Sequence, residues 1–337
     1  MTLLTSPITG ARKRVGFLGV GWIGRHRMEA MLGTGAIEAV AIADPDEEGR
    51  SAALQLAPGA QVVEGIEGLI GEGLDGVVIA SPSALHAEQS IAALNAGLAV
   101  FCQKPLGRTA AEVDRVLQAA KAADRLLGVD LSYRFTTGMA AIRELIWRGE
   151  LGTIFGADLT FHNAYGPDKS WFYDPALSGG GCVMDLGVHL VDLGLWALGW
   201  PDVTTVEATL MHRGGPLKDP SCECEDYAVA TLKTADGTVL RVACSWRLPA
   251  GKEAVIAAEF YGTDGGAALR NVRGSFYELE AERMHGTWFD PLASCEDDWG
   301  GRAAADWARR LGAGEGFDSE AERLGDVARV LDRIYGR

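Results

Sequence analysis

The chain of 337 residues is too long for one ordinary hydrophobic core, and its length predicts two domains. Apolar residues make up 47% and charged residues 23%, which is typical of a globular protein, and the formal net charge is −15. Without a dense lysine and arginine cluster, that charge argues against binding to nucleic acid or an anionic membrane. No stretch reaches the roughly 18 apolar residues of a membrane span. The segment from Met1 to Arg14 lacks the pattern of a signal peptide, so we expect a cytoplasmic protein.

The first third of the chain alternates short β-rich runs with helical stretches. The runs predict strands at Val15–Val20, Ile37–Ala43, Gln61–Val63, Gly76–Ala80, Ala99–Cys102 and Leu126–Leu131. Helices are predicted at Trp22–Leu32, Asp46–Leu56, Leu85–Ala96 and Ala110–Ala123. Such alternation indicates a parallel sheet with helices on both faces.

After about Asp130 the pattern changes to longer strands with segregated helices. Strands are predicted at Ile154–Phe161, Thr205–His212, Tyr227–Thr234, Thr238–Trp246, Ala254–Tyr261 and Phe276–Glu282, with a hairpin at Asp236-Gly237. Helices are predicted at Met139–Arg148, Cys182–Leu198, Arg302–Leu311 and Ser319–Tyr335. We therefore expect residues 131–337 to form an α+β domain on an open, mostly antiparallel sheet.

Six cysteines are scattered along the chain, at Cys102, Cys182, Cys222, Cys224, Cys244 and Cys295. Cys222 and Cys224 form a C-x-C pair, but a second pair at zinc-like spacing is missing. We expect free thiols and no metal site.

A glycine motif follows the first predicted strand. Gly19-x-Gly21-x-x-Gly24 opens the first predicted helix, the context in which this motif binds a dinucleotide. Gly19 permits the tight turn, Gly21 lets the backbone approach the pyrophosphate, and Gly24 lets helix and strand pack closely. The free N–H groups around Trp22 and Ile23 then face the anion. Residues 1–130 are therefore predicted to be a doubly wound Rossmann domain.

The choice of dinucleotide depends on the end of the second predicted strand. Asp44 stands there, and its carboxylate can accept both adenosine ribose hydroxyls while repelling a 2′-phosphate. Pro45 and Asp46 follow, so the sequence offers no adjacent arginine for that phosphate. The motif therefore favours NAD over NADP.

Three segments carry a resemblance to a known family. The turn GVGWIG, the run FCQKP and the run GGGCVMDLGVHLVD together resemble the Gfo/Idh/MocA oxidoreductases, the relatives of glucose–fructose oxidoreductase and inositol dehydrogenase. The resemblance extends over nearly the whole chain. It implies a Rossmann domain, an open-faced sheet domain and hydride transfer to or from a sugar or polyol.

The family's E-K-P motif reads Gln103-Lys104-Pro105 in this chain. The resemblance implies that Pro105 follows a cis peptide bond and that Lys104 reaches the reacting hydroxyl and the nicotinamide ribose. Gln103 replaces the usual glutamate, so it keeps hydrogen-bonding capacity and loses the negative charge. This change puts the orientation of the cofactor, or the tuning of Lys104, in question.

The Cys182–Leu198 helix carries Asp185, His189 and Asp192 near one face. A histidine beside a carboxylate can be held in one tautomer and accept a proton from an alcohol. The resemblance implies that Asp185 and His189 bind substrate and transfer protons. Alternatively, these residues are structural: the helix start is capped, His189 is packed in the interface and Asp192 is solvated. A metal site formed by the three residues would lack a further obvious ligand. Which of Lys104 and His189 is the immediate base stays open.

Further candidate contacts follow from the resemblance. It places Ser81, Pro82 and His86 at the pyrophosphate and nicotinamide ribose, although Ser81 could instead cap a helix. It also makes Arg134, in SYRF, a possible cofactor or substrate contact. Polar and aromatic side chains that suit a carbohydrate precede the Gly-rich turn, or else serve in packing: His162, Asn163, Tyr165 and Trp171.

These observations together predict an NAD-dependent oxidoreductase that acts on a CH–OH group of a sugar, inositol or related polyol. The alternatives are a non-catalytic dinucleotide sensor, a relative that recycles a tightly bound cofactor, and an aldehyde- or imine-reducing relative. One face of the open sheet needs cover, and the resembled family pairs such faces, so we expect a homodimer or homotetramer.

Overall fold

The computed structural model describes residues 11–294 and 299–337. The strands are β1 (Lys13–Leu18), β2 (Ile37–Ala43), β3 (Gln61–Val62), β4 (Gly76–Ile79), β5 (Ala99–Cys102), β6 (Leu127–Val129), β7 (Ile154–Asn163), β8 (Val203–His212), β9 (Gly215–Pro216), β10 (Tyr227–Thr234), β11 (Val239–Ser245), β12 (Ala254–Gly262), β13 (Gly266–Asn271), β14 (Leu279–His285) and β15 (Trp288–Ala293). The helices are α1 (Trp22–Leu32), α2 (Glu47–Leu56), α3 (Gly65–Ile70), α4 (Ser83–Asn95), α5 (Ala110–Ala123), α6 (Thr137–Trp147), α7 (Pro175–Ser178), α8 (Val188–Ala197), α9 (Arg302–Gly312) and α10 (Arg323–Tyr335).

The first sheet is parallel throughout, with the order β3-β2-β1-β4-β5-β6. Its central strands β4 and β5 are buried along their whole length, because helices cover both faces. The order in which strands are added to the sheet reverses between β1 and β4, and ligands of such folds bind beyond the carboxyl ends of the strands at that point. The predicted doubly wound Rossmann fold is confirmed.

The second sheet has the order β15-β14-β13-β12-β7-β11-β10-β8-β9. Every neighbouring pair in it is antiparallel except β7 and β11, which are parallel. Side chains of α6, α8 and α10 pack against one face and share a single core with the strands. The predicted open, mostly antiparallel sheet is confirmed.

The element boundaries differ from the prediction in several places. The last predicted strand began at Phe276, whereas β14 begins at Leu279, because residues 272–278 form a turn before it. Helix α3 and strands β13 and β15 were not predicted from the sequence. The predicted Cys182–Leu198 helix exists, but a π-helical turn at Val183–Gly187 precedes α8.

Helix α9 belongs to the second half of the sequence but packs on the parallel sheet. Its Trp307 lies 5.9 Å from the ring of Phe101 in β5, and it shares a core with β1 and α1. The division of the chain near residue 130 stays a prediction.

The cysteines of the described part of the chain, Cys102, Cys182, Cys222, Cys224 and Cys244, are free thiols, whereas Cys295 lies outside the described residues. None of the helices described has the length and apolarity that a bilayer span requires.

Candidate active site

A cleft of about 650 Å³ lies between the parallel sheet and the second domain. Residues of the first domain line one side, among them Gly21, Trp22, Ile23, Ser81, Pro82, His86, Gln103 and Lys104. Residues of the second domain line the other side, among them Tyr133, Phe161, Trp171, Phe172, His189, Phe276 and Trp299. The volume falls in the range of small-molecule and cofactor sites.

The glycine turn has the geometry that a dinucleotide motif requires. Gly19 has φ of 83°, and a Cβ there would lie 2.5 Å from the carbonyl oxygen of Ala80. A Cβ at Gly24 would lie 2.2 Å from the Gly19 oxygen, so helix and turn meet closely. A Cβ at Gly21 would meet no atom within 4 Å, and this open side faces the cleft.

Asp44 is fixed at the end of β2 by the backbone. Its Oδ2 accepts a hydrogen bond from Val20 N at 2.6 Å, and its Oδ1 accepts one from Asp46 N at 2.8 Å. The residues that directly follow Asp44 offer no arginine, but an arginine of α2 lies close to it in the fold. Arg50 Nη1 donates to the Asp44 carbonyl oxygen at 2.6 Å.

Lys104 reaches across the cleft to the helical segment that carries Asp185. Its Nζ donates to Asp185 Oδ1 at 2.5 Å and to the Asp185 carbonyl oxygen at 2.7 Å. Trp246 Nε1 donates to the other carboxylate oxygen of Asp185 at 2.9 Å. The Lys104–Pro105 peptide bond is cis, as the resemblance implied. Trp246 was missed because it lies far from both residues in sequence.

His189 is buried in the cleft wall, and no carboxylate of residues 11–294 or 299–337 is hydrogen-bonded to it. Its Nδ1 has no hydrogen-bond partner among the described residues, and its ring meets the ring of Tyr133 edge-on at 5.2 Å. Burial lowers the pKa of His189 well below its usual value, and the positive charges of Lys104 and Arg27 lower it further. The imidazole is therefore neutral near neutral pH. The interpretation in which Asp185 holds His189 is not what the contacts show.

Asp192 points away from the cleft and pairs with Arg134. Arg134 Nε donates to Asp192 Oδ2 at 2.5 Å, and the guanidinium lies 4.9 Å from the ring centre of Trp200. Arg134 is not among the residues that line the cleft. Arg134 thus forms an ion pair between two elements of the second domain and does not line the part of the cleft formed by the first domain.

The loop after β4 lies along the cleft. Ser81 Oγ donates to Gln89 Oε1 at 2.5 Å and does not cap α4, so the capping alternative is not observed. The two ring nitrogens of His86 lie 2.7 Å from the carbonyl oxygens of Ser81 and Pro105. His86 therefore joins this loop to the turn that carries Lys104. Burial lowers the pKa of His86 despite these two carbonyl contacts, which favour the charged form.

Of the predicted carbohydrate contacts, only Trp171 lines the cleft. Alternate residues of a strand face opposite sides of the sheet, so Phe161 lines the cleft and His162 does not. His162 Nδ1 contacts Ser245 Oγ at 2.8 Å, and Tyr165 donates to Glu253 at 3.3 Å. Asn163 lies at the end of β7 and is likewise outside the cleft lining.

A polar network that the sequence analysis missed lies beside Lys104. Arg27 Nε donates to Asp130 Oδ2 at 2.6 Å, and Gln103 Nε2 donates to the same oxygen at 2.8 Å. Ser132 Oγ donates to Asp130 Oδ1 at 2.8 Å. A glutamate at position 103 would bring two carboxylates together, so Asp130 explains why glutamine stands there.

A second missed contact holds the start of the helical segment that carries Asp185. Glu225 is fully buried and accepts hydrogen bonds from Val183 N at 2.8 Å, from Gly181 N at 3.0 Å and from Tyr335 OH at 2.7 Å. A Cβ at Gly181 would lie 1.9 Å from the Glu225 carbonyl oxygen, so only glycine allows this approach. Burial raises the pKa of Glu225, while these donors oppose the shift.

Fold and site together define a two-domain oxidoreductase with a Rossmann nucleotide-binding half. Residues 13–131 match the model described as "Oxidoreductase family, NAD-binding Rossmann fold", and residues 139–268 match the GFO/IDH/MocA C-terminal domain. The chain belongs to the GFO/IDH/MocA oxidoreductase family.

Its relatives include a putative UDP-kanosamine synthase oxidoreductase subunit of Amycolatopsis mediterranei (strain S699), 31% identical over 285 residues, which are 80% of this chain and 78% of the relative. D-glucoside 3-dehydrogenase of Escherichia coli (strain K12) is 29% identical over 205 residues, and the match spans only 58% of either chain. A solved levoglucosan dehydrogenase in complex with NADH and levoglucosan has the same fold, with a TM-score of 0.81, 22% identity and 96% coverage of both chains.

Proposed function

We propose that this protein catalyses the reversible NAD-dependent oxidation of a secondary alcohol in a sugar, inositol or related polyol. The observation that carries the proposal is that Lys104 and His189, from different domains, line one cleft together with the turn after β1. Relatives named D-glucoside 3-dehydrogenase and inositol 2-dehydrogenase support this class of substrate.

The residues of the first domain fit a bound dinucleotide. The open side of Gly21 and the N-terminus of α1 would hold the pyrophosphate. From there the cleft continues past Ser81 and Pro82 to Lys104, where the nicotinamide half would lie. The nicotinamide ring, when bound, accepts the hydride from the substrate carbon.

The proton of the alcohol needs a base, and the contacts favour His189 over Lys104. An ammonium group has three N–H donors and no acceptor. Lys104 Nζ directs donors to two oxygens of Asp185, and a third donor remains to stabilise the oxygen of the substrate. His189 is neutral because it is buried, so one of its ring nitrogens can accept the proton.

The test is the loss of turnover in Lys104→Met and His189→Ala. General acid–base groups contribute about 10²–10⁴-fold, so each variant should lose turnover of that order. NADH affinity should stay within a few-fold, because the adenosine half binds elsewhere. The double variant should lose less than the product of the single losses, since the two residues act as a unit.

The matched control is His162→Ala, which removes a histidine from the opposite face of β7 and should leave turnover unchanged. Near-wild-type turnover in both test variants would refute the assignment. Loss of NADH binding in both would make them cofactor anchors, and NADH binding without turnover of any polyol or sugar by the wild type would favour a sensor.

We further propose that NAD is preferred over NADP, because the Asp44 carboxylate repels a 2′-phosphate. Arg50 lies beside Asp44 and reduces this repulsion, so we expect the preference to be moderate. Asp44→Ala should lower the catalytic efficiency with NAD and raise it with NADP. Arg50→Ala should lower only the catalytic efficiency with NADP. A wild-type preference for NADP by catalytic efficiency would refute this proposal.

A homodimer or homotetramer remains our proposal for the assembly. The face of the second sheet opposite α6, α8 and α10 presents side chains such as Arg241, Tyr261 and Arg270, which another copy could cover. Light scattering at micromolar concentration tests this, and a monomeric mass would contradict it. The cytoplasmic location rests on the sequence and is tested by cell fractionation.

A further inference from the structure

Two of the cations that line the cleft are neutralised within the protein. Lys104 pairs with Asp185 at 2.5 Å, and Arg27 pairs with Asp130 at 2.6 Å. Lys169 lies 3.4 Å from Asp168, but both side chains are largely exposed, so water screens this third pair. These three are the lysines and arginines of the cleft lining within the described ranges 11–294 and 299–337.

Arg27 is the most completely committed of them. Its Nε contacts Asp130, its Nη1 lies 2.9 Å from His26 Nδ1, and its Nη2 donates to Ser132 Oγ at 3.4 Å. The guanidinium also lies 5.3 Å from the ring centre of Trp299, and the residue is only 1% exposed. Its charge is therefore paired with Asp130 and lies against an aromatic face, and each of its three nitrogens already has a contact within the protein.

Much of the second-domain side of the cleft is aromatic. Trp299 stacks between Tyr133 and Tyr277 at 5.6 and 6.2 Å, and Trp171 stacks on Phe172 at 3.8 Å. Aromatic faces bury the C–H face of a sugar or cyclitol ring but give nothing to a carboxylate or phosphate.

We propose that the cleft selects an electrically neutral sugar, glycoside or cyclitol against its uronate or phosphate counterpart, and that Asp130 sets this selectivity by neutralising Arg27. The inference rests on the proposed alcohol oxidation. An anionic group would enter a cleft whose enclosed cations, Arg27 and Lys104, are already paired, close to the Asp130 carboxylate. It would lose its hydration, and the remaining donor of Lys104 is needed for the reacting oxygen of the substrate.

The experiment compares methyl glycosides with the corresponding methyl uronates in the gluco, galacto and manno series, using the full-length protein and NAD. Wild-type kcat/KM should be at least about 100-fold higher for the neutral member of a pair that is oxidised, because the unpaired charge is not compensated. Binding titrations of both members of a pair into the protein–NADH complex compare their affinities without turnover.

Asp130→Asn removes the carboxylate and leaves the Arg27 charge beside the cleft. The uronate-to-glycoside ratio of affinities should then rise at least tenfold. Asp114→Asn removes the partner of the surface residue Arg329 and should leave this ratio unchanged, which controls for net charge. The wild-type comparison needs no variant, so it still tests the proposal if Asp130→Asn does not fold.

The outcomes separate this inference from the proposed function. A wild-type preference for uronates or phosphates would overturn the neutral-substrate inference and leave alcohol oxidation intact. An unchanged ratio in a folded Asp130→Asn protein would remove Asp130 from the role. If none of the three series is oxidised, these glycosides are excluded as substrates of the proposed reaction, and the binding titrations still decide which charge state the cleft accepts.

Discussion

The tryptophan that holds Asp185 offers a direct test of how this site is organised. Trp246 follows β11 and is 3% exposed, and its Nε1 donates to Asp185 Oδ2 at 2.9 Å. Its ring meets the ring of Tyr173 at 5.5 Å. Trp246→Phe keeps an aromatic ring at the packed position and removes the donor. Asp185 then retains only Lys104 as a side-chain partner for its carboxylate.

The size of the effect follows from this one bond. A hydrogen bond to a charged group contributes about 1.5–3 kcal/mol. Since each 1.36 kcal/mol corresponds to a tenfold change in rate, full use of the bond in the transition state is worth about 10- to 150-fold. Lys104 still holds Oδ1 of Asp185, so we expect a fall in kcat/KM of about tenfold, mostly in kcat.

The assay is steady-state oxidation of the identified substrate at saturating NAD, with NADH affinity and melting temperature measured in parallel. NADH affinity should stay close to wild type, because Trp246 acts on Asp185 and is not in contact with the dinucleotide turn. The melting temperature should fall moderately, because a buried donor and part of a buried ring are lost. Tyr173→Phe is the control, since it keeps the neighbouring ring and removes a hydroxyl that donates to the Pro167 carbonyl oxygen and accepts from Arg247, neither of which contacts Asp185. A kcat/KM within twofold of wild type in Trp246→Phe would refute the reasoning.

Three further predictions follow. Tyr335→Phe should lower the unfolding free energy by about 1.5–3 kcal/mol in urea titrations, because buried Glu225 loses a donor; a change below about 0.5 kcal/mol would contradict this. If His189 is the base, its lowered pKa keeps it neutral, so kcat/KM for alcohol oxidation should stay flat from neutral pH to well below pH 6.5; an acid limb at or above that value would exclude His189. His86 and His189 titrate lower in the folded than in the unfolded state, so the unfolded state binds protons first and the urea midpoint should fall as pH decreases below about 6.5; a constant midpoint from pH 8 to 5.5 would contradict this.

The fold was largely readable from local sequence patterns. The strand–glycine–helix order at the N-terminus and the Asp236-Gly237 hairpin between β10 and β11 are local signals, and the structure contains both. The strand β13 was missed because its sequence GAALRN lacks the β-branched residues and alternation that mark a strand. Pairing with β12 and β14 stabilises it there, and such pairing is not visible in a local window.

The candidate site also has residues that sequence motifs identify and contacts that only the fold reveals. Motifs led to Lys104 and His189, and the structure brings both to one cleft. Helical spacing suggested that Asp185 would orient His189. Asp185 instead contacts Lys104 and Trp246, which lie 81 and 61 residues away in sequence. Spacing along a helix identifies which side chains share a face, and it carries no information about what another domain places opposite that face.

Gln103 shows why a substitution in a motif is hard to interpret alone. Against the expected glutamate, it suggested a lost charge near the cofactor. The structure places a carboxylate beside it after all, supplied by Asp130, which accepts from Gln103 and from Arg27. A glutamate at position 103 would face that carboxylate at hydrogen-bond distance, so the amide of Gln103 suits a site that already holds Asp130. In this chain the carboxylate follows β6 and pairs with an arginine of α1, and this pair is where we expect selectivity for the substrate's charge to arise.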